Sequence, residues 1–569
     1  MRNWVKILLI VLFLLVAREQ YVRRLIDLQY SAALTAAYAG LFAALALSLF
    51  LTAFIRNDLL RWFFACLFTV AAVFCDSYNR IAGDYLSYSI FVSQIYSFAF
   101  VTEALQQYWH SVLWATASAL LLLAGLGLRP AYPRAGDRAF SRWRLVSSWL
   151  VPAAPFLGII LLTTLLFMRG GTGAAGLPVM FPPLAYLNLL NYEALTETVG
   201  PREPVRLSRT GGPVRHDIVL IIDESVSANY LDINAPHGVR TPLGKPPAGV
   251  QAFNFGYAAS IASCSGDVNV TLRFGGTRED YIRINATMPS IWQYAKAAGM
   301  STVYVDAQRT GRRMQNMMTD RELDAIDEWI QFDDVPVRHR DMAVAETLAE
   351  LINDSRPQLI VTNKMGAHFP VHDKFPDKFM QYSPSLPRGR HEDVGDTGLR
   401  LGFEGTAGDW LLYRNSYMNT LLWNVGEFFT RLFAKADLDN AVIIYTADHG
   451  QDLHERGNPG MNTHCGGSPV IEEGLVPLVV IQGEGLRTLD WESQLPRNRN
   501  RSSHYNIFPT LLQLMGFEAE GIRALYGNPL SVDTNDPFTF NTKFNGRMGM
   551  KPQWLFIDLD QIVTPPPPQ

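Results

Sequence analysis

Long uncharged apolar runs lie almost entirely before residue 170, and this asymmetry constrains the fold more than any other feature. A helix needs ~20 apolar residues to cross a bilayer core. Residues 31–55 and 145–168 carry no charge and are long enough. Residues 111–128 fit as well, as does 62–75 once Leu59 and Leu60 extend it. The stretch from Trp4 to Ala17, with Lys6 inside it, has the size of a signal-peptide core, but no good cleavage site follows. It reads as a first helix, and five spans are expected.

Residues 85–102 (YLSYSIFVSQIYSFAFVT) are uncharged but rich in hydroxyl groups, and they read as interfacial. With five spans and the N-terminus inside, nine Lys and Arg residues fall on the cytoplasmic side, among them Arg129, Arg134, Arg138, Arg142 and Arg144. Only Arg18, Arg23, Arg24 and Arg80 fall outside, as the positive-inside rule expects. A sixth span would place the five-arginine loop outside. An odd count exports the C-terminal part.

A chain of 569 residues is too long for one core. Its composition, 48% hydrophobic and 18% charged, leans towards membrane, and a net charge of −4 argues against nucleic-acid binding. Three parts are expected: a transmembrane domain (1–170), a Gly- and Pro-rich connection (171–215) that lies on the membrane or packs on the next domain, and a soluble domain (216–569). The terminal TPPPPQ is a low-complexity tail.

In the soluble part, DIVLIID (217–223), STVYVD (301–306), QLIVTN (358–363), AVIIYTAD (441–448) and VPLVVI (476–481) read as buried strands. Helical patterns such as 290–299 and 415–436 separate them. Strands without alternation, spaced by helices, predict an α/β domain whose mostly parallel sheet is covered on both faces. Ligands of such sheets collect outside the carboxyl ends of the strands. The first strand is followed by Glu224 and Ser225, and the one at 358 by Met365-Gly366-Ala367-His368. The strand at 441 leads into Asp448-His449, with His454 and His464 shortly after. Carboxylates and imidazoles converging at one edge are donors that zinc prefers. Each alone reads as a turn or a helix cap; together they predict a metal site.

The stretch IASCSGDV sets Ser263, Cys264 and Ser265 side by side at the start of a helical pattern. A helix beginning near Ser265 directs its positive dipole end at whatever the hydroxyl carries, which suits phosphate. Serine is a weak nucleophile at neutral pH, and coordination to zinc activates it. A plain serine N-cap with Asp267 in the first turn fits the same residues.

Glu224-Ser225-Val226-Ser227-Ala228-Asn229-Tyr230, ASCSG, GAHFP (366–370), TADHGQDLHERG (446–457), VPLVVI and SSHYNIFPTLLQLMG (502–516) follow one order. In these motifs the chain resembles the membrane-anchored phosphoethanolamine transferases of the alkaline phosphatase/sulfatase superfamily, over most of residues 216–520. The resemblance implies Glu224, Asp448 and His449 as ligands of a catalytic zinc, with the nucleophile's oxygen completing the set and a second metal left open. It implies His368 and His464 as accessory histidines. Counting back ten residues from Gly275, a spacing seen in several branches, gives Ser265 as the nucleophile. Aligning on the Ser-Cys pair points instead near Val268, which cannot react. Arg312, Arg313, Asn269 and Glu103 are implied near the substrate; surface charge accounts equally for the arginines and for Glu103.

Several departures stand beside the likeness. Ser265 replaces the usual threonine, and Asp223 replaces the usual glycine before the metal-binding glutamate. Only Cys264 and Cys465 lie in the exported domain, either bonded across the site or as free thiols. The expected activity is zinc-dependent transfer of phosphoethanolamine from phosphatidylethanolamine to an envelope glycan or lipid, such as lipid A or a core sugar, through a seryl intermediate. The expected location is a bacterial inner membrane, with catalysis in the periplasm. A phosphoglycerol transferase is the enzyme alternative. A sulfatase is disfavoured, because neither CSGDV nor SGDVN supplies the small residue and arginine of a formylglycine signature. An inactive lipid-binding sensor or scaffold predicts lost ligands, and all are present.

Overall fold

The computed structural model describes residues 2–96, 101–131, 138–196, 201–354, 356–387, 403, 405–458, 462–466, 469–542 and 552–566. The chain divides into two compact units, one running to Thr198 and the other holding the bulk of the rest.

The first unit is helical: α1 (Arg2–Val16), α2 (Arg18–Leu28), α3 (Ala32–Thr52), α4 (Asp58–Ala82), α5 (Tyr88–Tyr96), α6 (Val101–Gly127), α7 (Arg138–Met168) and α8 (Phe181–Thr196). Among the described residues four helical stretches are long and apolar enough to cross a membrane: Ala32–Thr52, Asp58–Ala82, Tyr108–Gly127 and Trp149–Met168. The stretch expected as a fifth, from Trp4 to Ala17, forms α1. Helix α1 has 15 residues, fewer than any of those four stretches. Its Lys6 is fully buried and donates to the carbonyls of Leu126 and Leu128 at the end of α6. Those carbonyls lack partners within their own helix, so the charge that interrupts the apolar run serves as a cap. Arg61 does the same, donating to Gly127 O at 3.2 Å while pairing with Asp58 at 2.7 Å.

The stretch expected at the interface contains the nine-residue α5. Helix α8 lies within the segment expected as a connection. Its Phe181, Ala185, Tyr186 and Leu189 are buried in the same apolar core as α3, α4 and α7, so its aromatic, Leu-rich pattern is that of a packed helix.

The second unit is built on an eight-stranded sheet of β1 (Asp217–Asp223), β2 (Val250–Ala259), β3 (Ser301–Asp306), β4 (Glu328–Gln331), β5 (Gln358–Asn363), β6 (Ala441–Ala447), β7 (Leu475–Gly483) and β8 (Ser502–Ser503). Their order is β4-β3-β5-β1-β6-β7-β2-β8. The pairings from β4 through to β6 are parallel, and β7 runs antiparallel to both β6 and β2. Every residue of β1, β5, β6 and β7 is buried, as a sheet covered on both faces requires.

Strand β2 was not anticipated from the sequence. Gln251, Asn254 and Gly256 interrupt its apolar pattern, and its register shifts between Asn254 and Tyr257, a bulge that breaks the two-residue period. The predicted helix over 415–436 is real but not uniform. Ala407–Leu421 and Phe428–Lys435 are α-helical, and Leu422–Glu427 between them is a π-helical turn. Insertions of this kind concentrate at functional sites.

Candidate active site

Strands β5, β1 and β6 are adjacent and parallel, so their carboxyl ends open at one edge. Asp448 N donates to Asp223 O at 2.8 Å and Lys364 N to Ile222 O at 3.0 Å, which locks the three ends in register. The backbone turns sharply straight after Glu224: Ser225 has φ of +60°, a conformation that costs an L-residue ~1–2 kcal/mol. Ser225 N donates to Asp448 Oδ1 at 2.9 Å, its hydroxyl to Glu224 Oε1 at 2.8 Å, and Tyr417 OH to Ser225 O at 2.8 Å. The strain therefore has local compensation, and it aims Glu224 into the site. Gly366, at φ of +53°, passes so close that a Cβ there would meet Asp223 Oδ1 at 2.4 Å and Glu224 O at 2.5 Å. The glycine of GAHFP is a packing requirement.

Glu224, Asp448 and His449 are buried, each offering one donor atom within 4.8 Å of the others. His449 Nδ1–H donates to Gly450 O at 2.7 Å, leaving the Nε2 lone pair for the site. Nε2 lies 3.6 Å from Glu224 Oε1 and 3.7 Å from Asp448 Oδ2. Helix α9 (Ser265–Phe274) begins here, with Cys264 as an N-cap that supplies no side-chain hydrogen bond. Ser265 occupies the first turn, its hydroxyl 3.2 Å from His449 Nε2 and 3.3 Å from Glu224 Oε1. His464 stacks on His449 with ring centres 4.4 Å apart. The His368 ring is fixed by an Nδ1–H bond to Phe369 O at 2.5 Å.

The electrostatics describe a site under like-charge stress. Burial, with the neighbouring Asp448, raises the Glu224 carboxyl above its ordinary range, and burial pushes Asp448 up to about 6. Burial lowers the imidazole of His449, and burial plus the two other imidazoles holds His464 well below its ordinary value. Every group is driven towards its neutral form, the pattern a buried dication reverses. Among the described residues Asp448 Oδ2, fully enclosed, has no hydrogen-bond donor, whereas buried carboxylate oxygens are normally satisfied. Two carboxylates and a neutral imidazole nitrogen with donor atoms this close together suit Zn2+. The residues present fit the ion.

Two carboxylates and a lysine lie behind the ligands. Lys364 is fully buried, its Nζ 2.7 Å from Asp223 Oδ2 and 3.8 Å from Asp341 Oδ2, and it donates to Asn424 O at 2.5 Å from the π-helical turn. Tyr445 OH donates to Asp223 Oδ2 at 3.0 Å. Asp341 accepts from Met365 N and Gly366 N at 2.7 and 2.9 Å. The aspartate that replaces the usual glycine at 223 therefore has a partner in Lys364.

Residues 216–517 match the family model described as Sulfatase, more than half of the chain. The chain belongs to the sulfatase family. This sulfatase-family chain matches no curated protein. Among solved structures it is similar to the integral membrane lipooligosaccharide phosphoethanolamine transferase A of Neisseria meningitidis: 16% identity, 82% of this chain and 87% of that one covered, TM-score 0.58. It is also similar to the C-terminal periplasmic domain of EptC from Escherichia coli in complex with zinc: 18% identity, 58% and 92% covered, TM-score 0.45. The first likeness shows a shared fold, apolar helices followed by a sulfatase-family α/β unit.

The other residues singled out in this sulfatase-family sequence fall as follows. Cys264 and Cys465 are disulfide-bonded, Cα atoms 5.2 Å apart, which ties the residue before Ser265 to the residue after His464. Asn269 is buried, and its amide donates to Ser265 O at 3.0 Å. Arg312 and Arg313 stand exposed on the loop after β3. His454 stacks on Trp410. The side chain of Glu103 lies outside the described residues. Gln308, Lys364 and Asp341 were not anticipated. For Gln308 a signal existed: it lies two residues beyond the end of β3, a strand end as eligible as the three inspected.

Proposed function

We propose that this chain transfers phosphoethanolamine from phosphatidylethanolamine to a hydroxyl or phosphate of an envelope glycan or lipid, with Ser265 as the nucleophile. The observation that carries the reading is the Ser265 hydroxyl, at the start of α9 and within 3.3 Å of both Glu224 and His449. The phosphoethanolamine group and its membrane setting come from the likeness in fold to the Neisseria enzyme. Residues 216–569 are assigned the chemistry and 1–170 the anchor, with 171–215 between them. The disulfide supports an oxidising compartment, here the periplasmic side of a bacterial inner membrane.

Glu224, Asp448, His449 and the Ser265 oxygen would hold a zinc ion, which would supply Lewis-acid stabilisation of charge on oxygen. The Ser265 Oγ–P bond forms as the P–O bond to glycerol breaks, and diacylglycerol leaves with a proton. The acceptor oxygen then bonds to phosphorus, the Oγ–P bond breaks, and the serine hydroxyl is restored. His464, held neutral by burial and the neighbouring imidazoles, would contact a non-bridging oxygen of the transferred group through a ring N–H. His368, within electrostatic reach of Glu224 and His464, is assigned the relay of the Ser265 proton to diacylglycerol. The N-terminal end of α9 favours the anionic group on Ser265.

Intact mass of the zinc-loaded full chain in detergent, after incubation with phosphatidylethanolamine, tests this beside Ser265→Ala. A phosphoethanolamine adduct on the wild type alone supports donor and nucleophile together. An adduct on the variant moves the nucleophile to Ser263. Neither adduct nor released diacylglycerol rejects the donor.

A further inference from the structure

Strand β3 lies beside β5 and contributes no ligand, yet the loop leaving it reaches the site. Its last residue, Asp306, is a fully buried carboxylate. Oδ1 accepts from Gln308 N at 2.9 Å, Arg309 N at 3.2 Å and Gln315 Nε2 at 2.7 Å, and Oδ2 accepts from Gln331 Nε2 at 2.9 Å. One carboxylate thus folds the loop from both ends, and charge-assisted bonds of this type are among the stronger ones. The loop is held so that Gln308 Nε2 donates to Glu224 Oε2 at 3.1 Å and to Lys364 O at 2.8 Å. Both partners are pure acceptors, so the amide orientation follows from the bonding, and both of its N–H groups are used.

The two oxygens of Glu224 are thereby made unequal. Oε2 accepts from Gln308 at 3.1 Å, while the Ser265 hydroxyl sits between the two oxygens, 3.4 Å from Oε2 and 3.3 Å from Oε1. Oε1 receives the Ser225 hydroxyl and is the oxygen 3.6 Å from His449 Nε2. We propose that Gln308 is a positioning residue that fixes the Glu224 carboxylate through Oε2, so that Oε1 is presented to the metal. Side chains that orient metal ligands typically change affinity ~10–100-fold when removed. The inference rests on the metal reading of the site and not on the identity of the donor.

The test is Zn2+ affinity of the full chain in detergent, measured by competition with a chromophoric chelator, for wild type, Gln308→Met and Glu224→Gln, together with the melting temperature of each metal-free protein. Methionine keeps the length of the side chain and removes both donors. A positioning role predicts a fall in affinity of ~10–100-fold for Gln308→Met, with the metal-free melting temperature essentially that of wild type. Unchanged affinity overturns the proposal. A fall in affinity matched by a loss of metal-free stability also overturns it, since Gln308 would then serve the loop. If the wild type binds no zinc, the metal reading fails with it. If affinity behaves as expected but no phosphoethanolamine adduct forms, the donor assignment fails and this proposal stands.

Discussion

Replacing Lys364 by methionine isolates what the buried charges behind the ligands contribute. Among the described residues Lys364 is the cation within 4 Å of Asp223 and Asp341, all three buried. Removing one partner of a buried pair leaves an uncompensated charge and typically costs ~3–5 kcal/mol. The soluble unit spans roughly 350 residues, and at ~2.1 cal/mol/K per residue its unfolding entropy is ~0.7 kcal/mol/K, so the expected drop in melting temperature is ~4–7 °C. Burial already raises the Asp223 carboxyl, with Lys364 opposing. An acid raised on folding contributes most at low pH and loses that contribution as pH rises through its folded pKa. Loss of Lys364 raises it further, so the deficit should be smaller at pH 5 than at pH 8. Thermal melts of the full chain in detergent at both pH values measure this. Adding Asp223→Asn should recover at least half of the loss, since the stranded charge is then gone. A shift below ~1 °C, or a double variant no better than the single one, would refute the reasoning.

Four further outcomes follow from the same geometry. Asp448, at about 6 without metal, must lose its proton to bind one, and the raised Glu224 carboxyl must do the same, so zinc affinity should weaken by at least about tenfold per unit as pH falls below about 6; chelator competition across pH measures the slope. Through the Asp448 carboxyl, the metal-free protein should lose stability as pH rises through about 6, and bound metal should remove that trend. Gly366→Ala should lower both metal-free stability and zinc affinity, because the new Cβ falls 2.4 Å from Asp223 Oδ1; a variant with wild-type melting would show that the turn relaxes. Opening the Cys264–Cys465 bond, which closes a loop of 201 residues, should cost ~5 kcal/mol, read as a melting shift of ~7 °C between native and phosphine-reduced protein; equal melting would count against the pairing as a stabilising tether.

Much of the candidate site is legible residue by residue, because its signals are local. A strand of seven buried residues ends in Asp223-Glu224 and another in Asp448-His449, and apolar runs followed by polar clusters are visible in any window of the sequence. Helix α9 and its glycine stop at Gly275 were legible for the same reason. The role of Lys6 was less so. Length and hydropathy favoured a first membrane helix at Trp4, and nothing in the window shows that Lys6 is engaged by carbonyls 120 and 122 residues away.

The sequence by itself determined where the chain turns apolar enough for a membrane, which segments become buried strands, and which carboxylates and imidazoles follow them. Backbone periodicity and composition are short-range properties, and a linear reading captures them. The tertiary structure decided which strand ends are neighbours, and so that β5, β1 and β6 bring Lys364, Glu224 and His449 together while β3 sends Gln308 to the same carboxylate. It also decided that Asp223 answers Lys364 across 141 residues and Cys264 meets Cys465 across 201. Strand order arises from burying all faces of the sheet at once, and no stretch of sequence carries that condition alone.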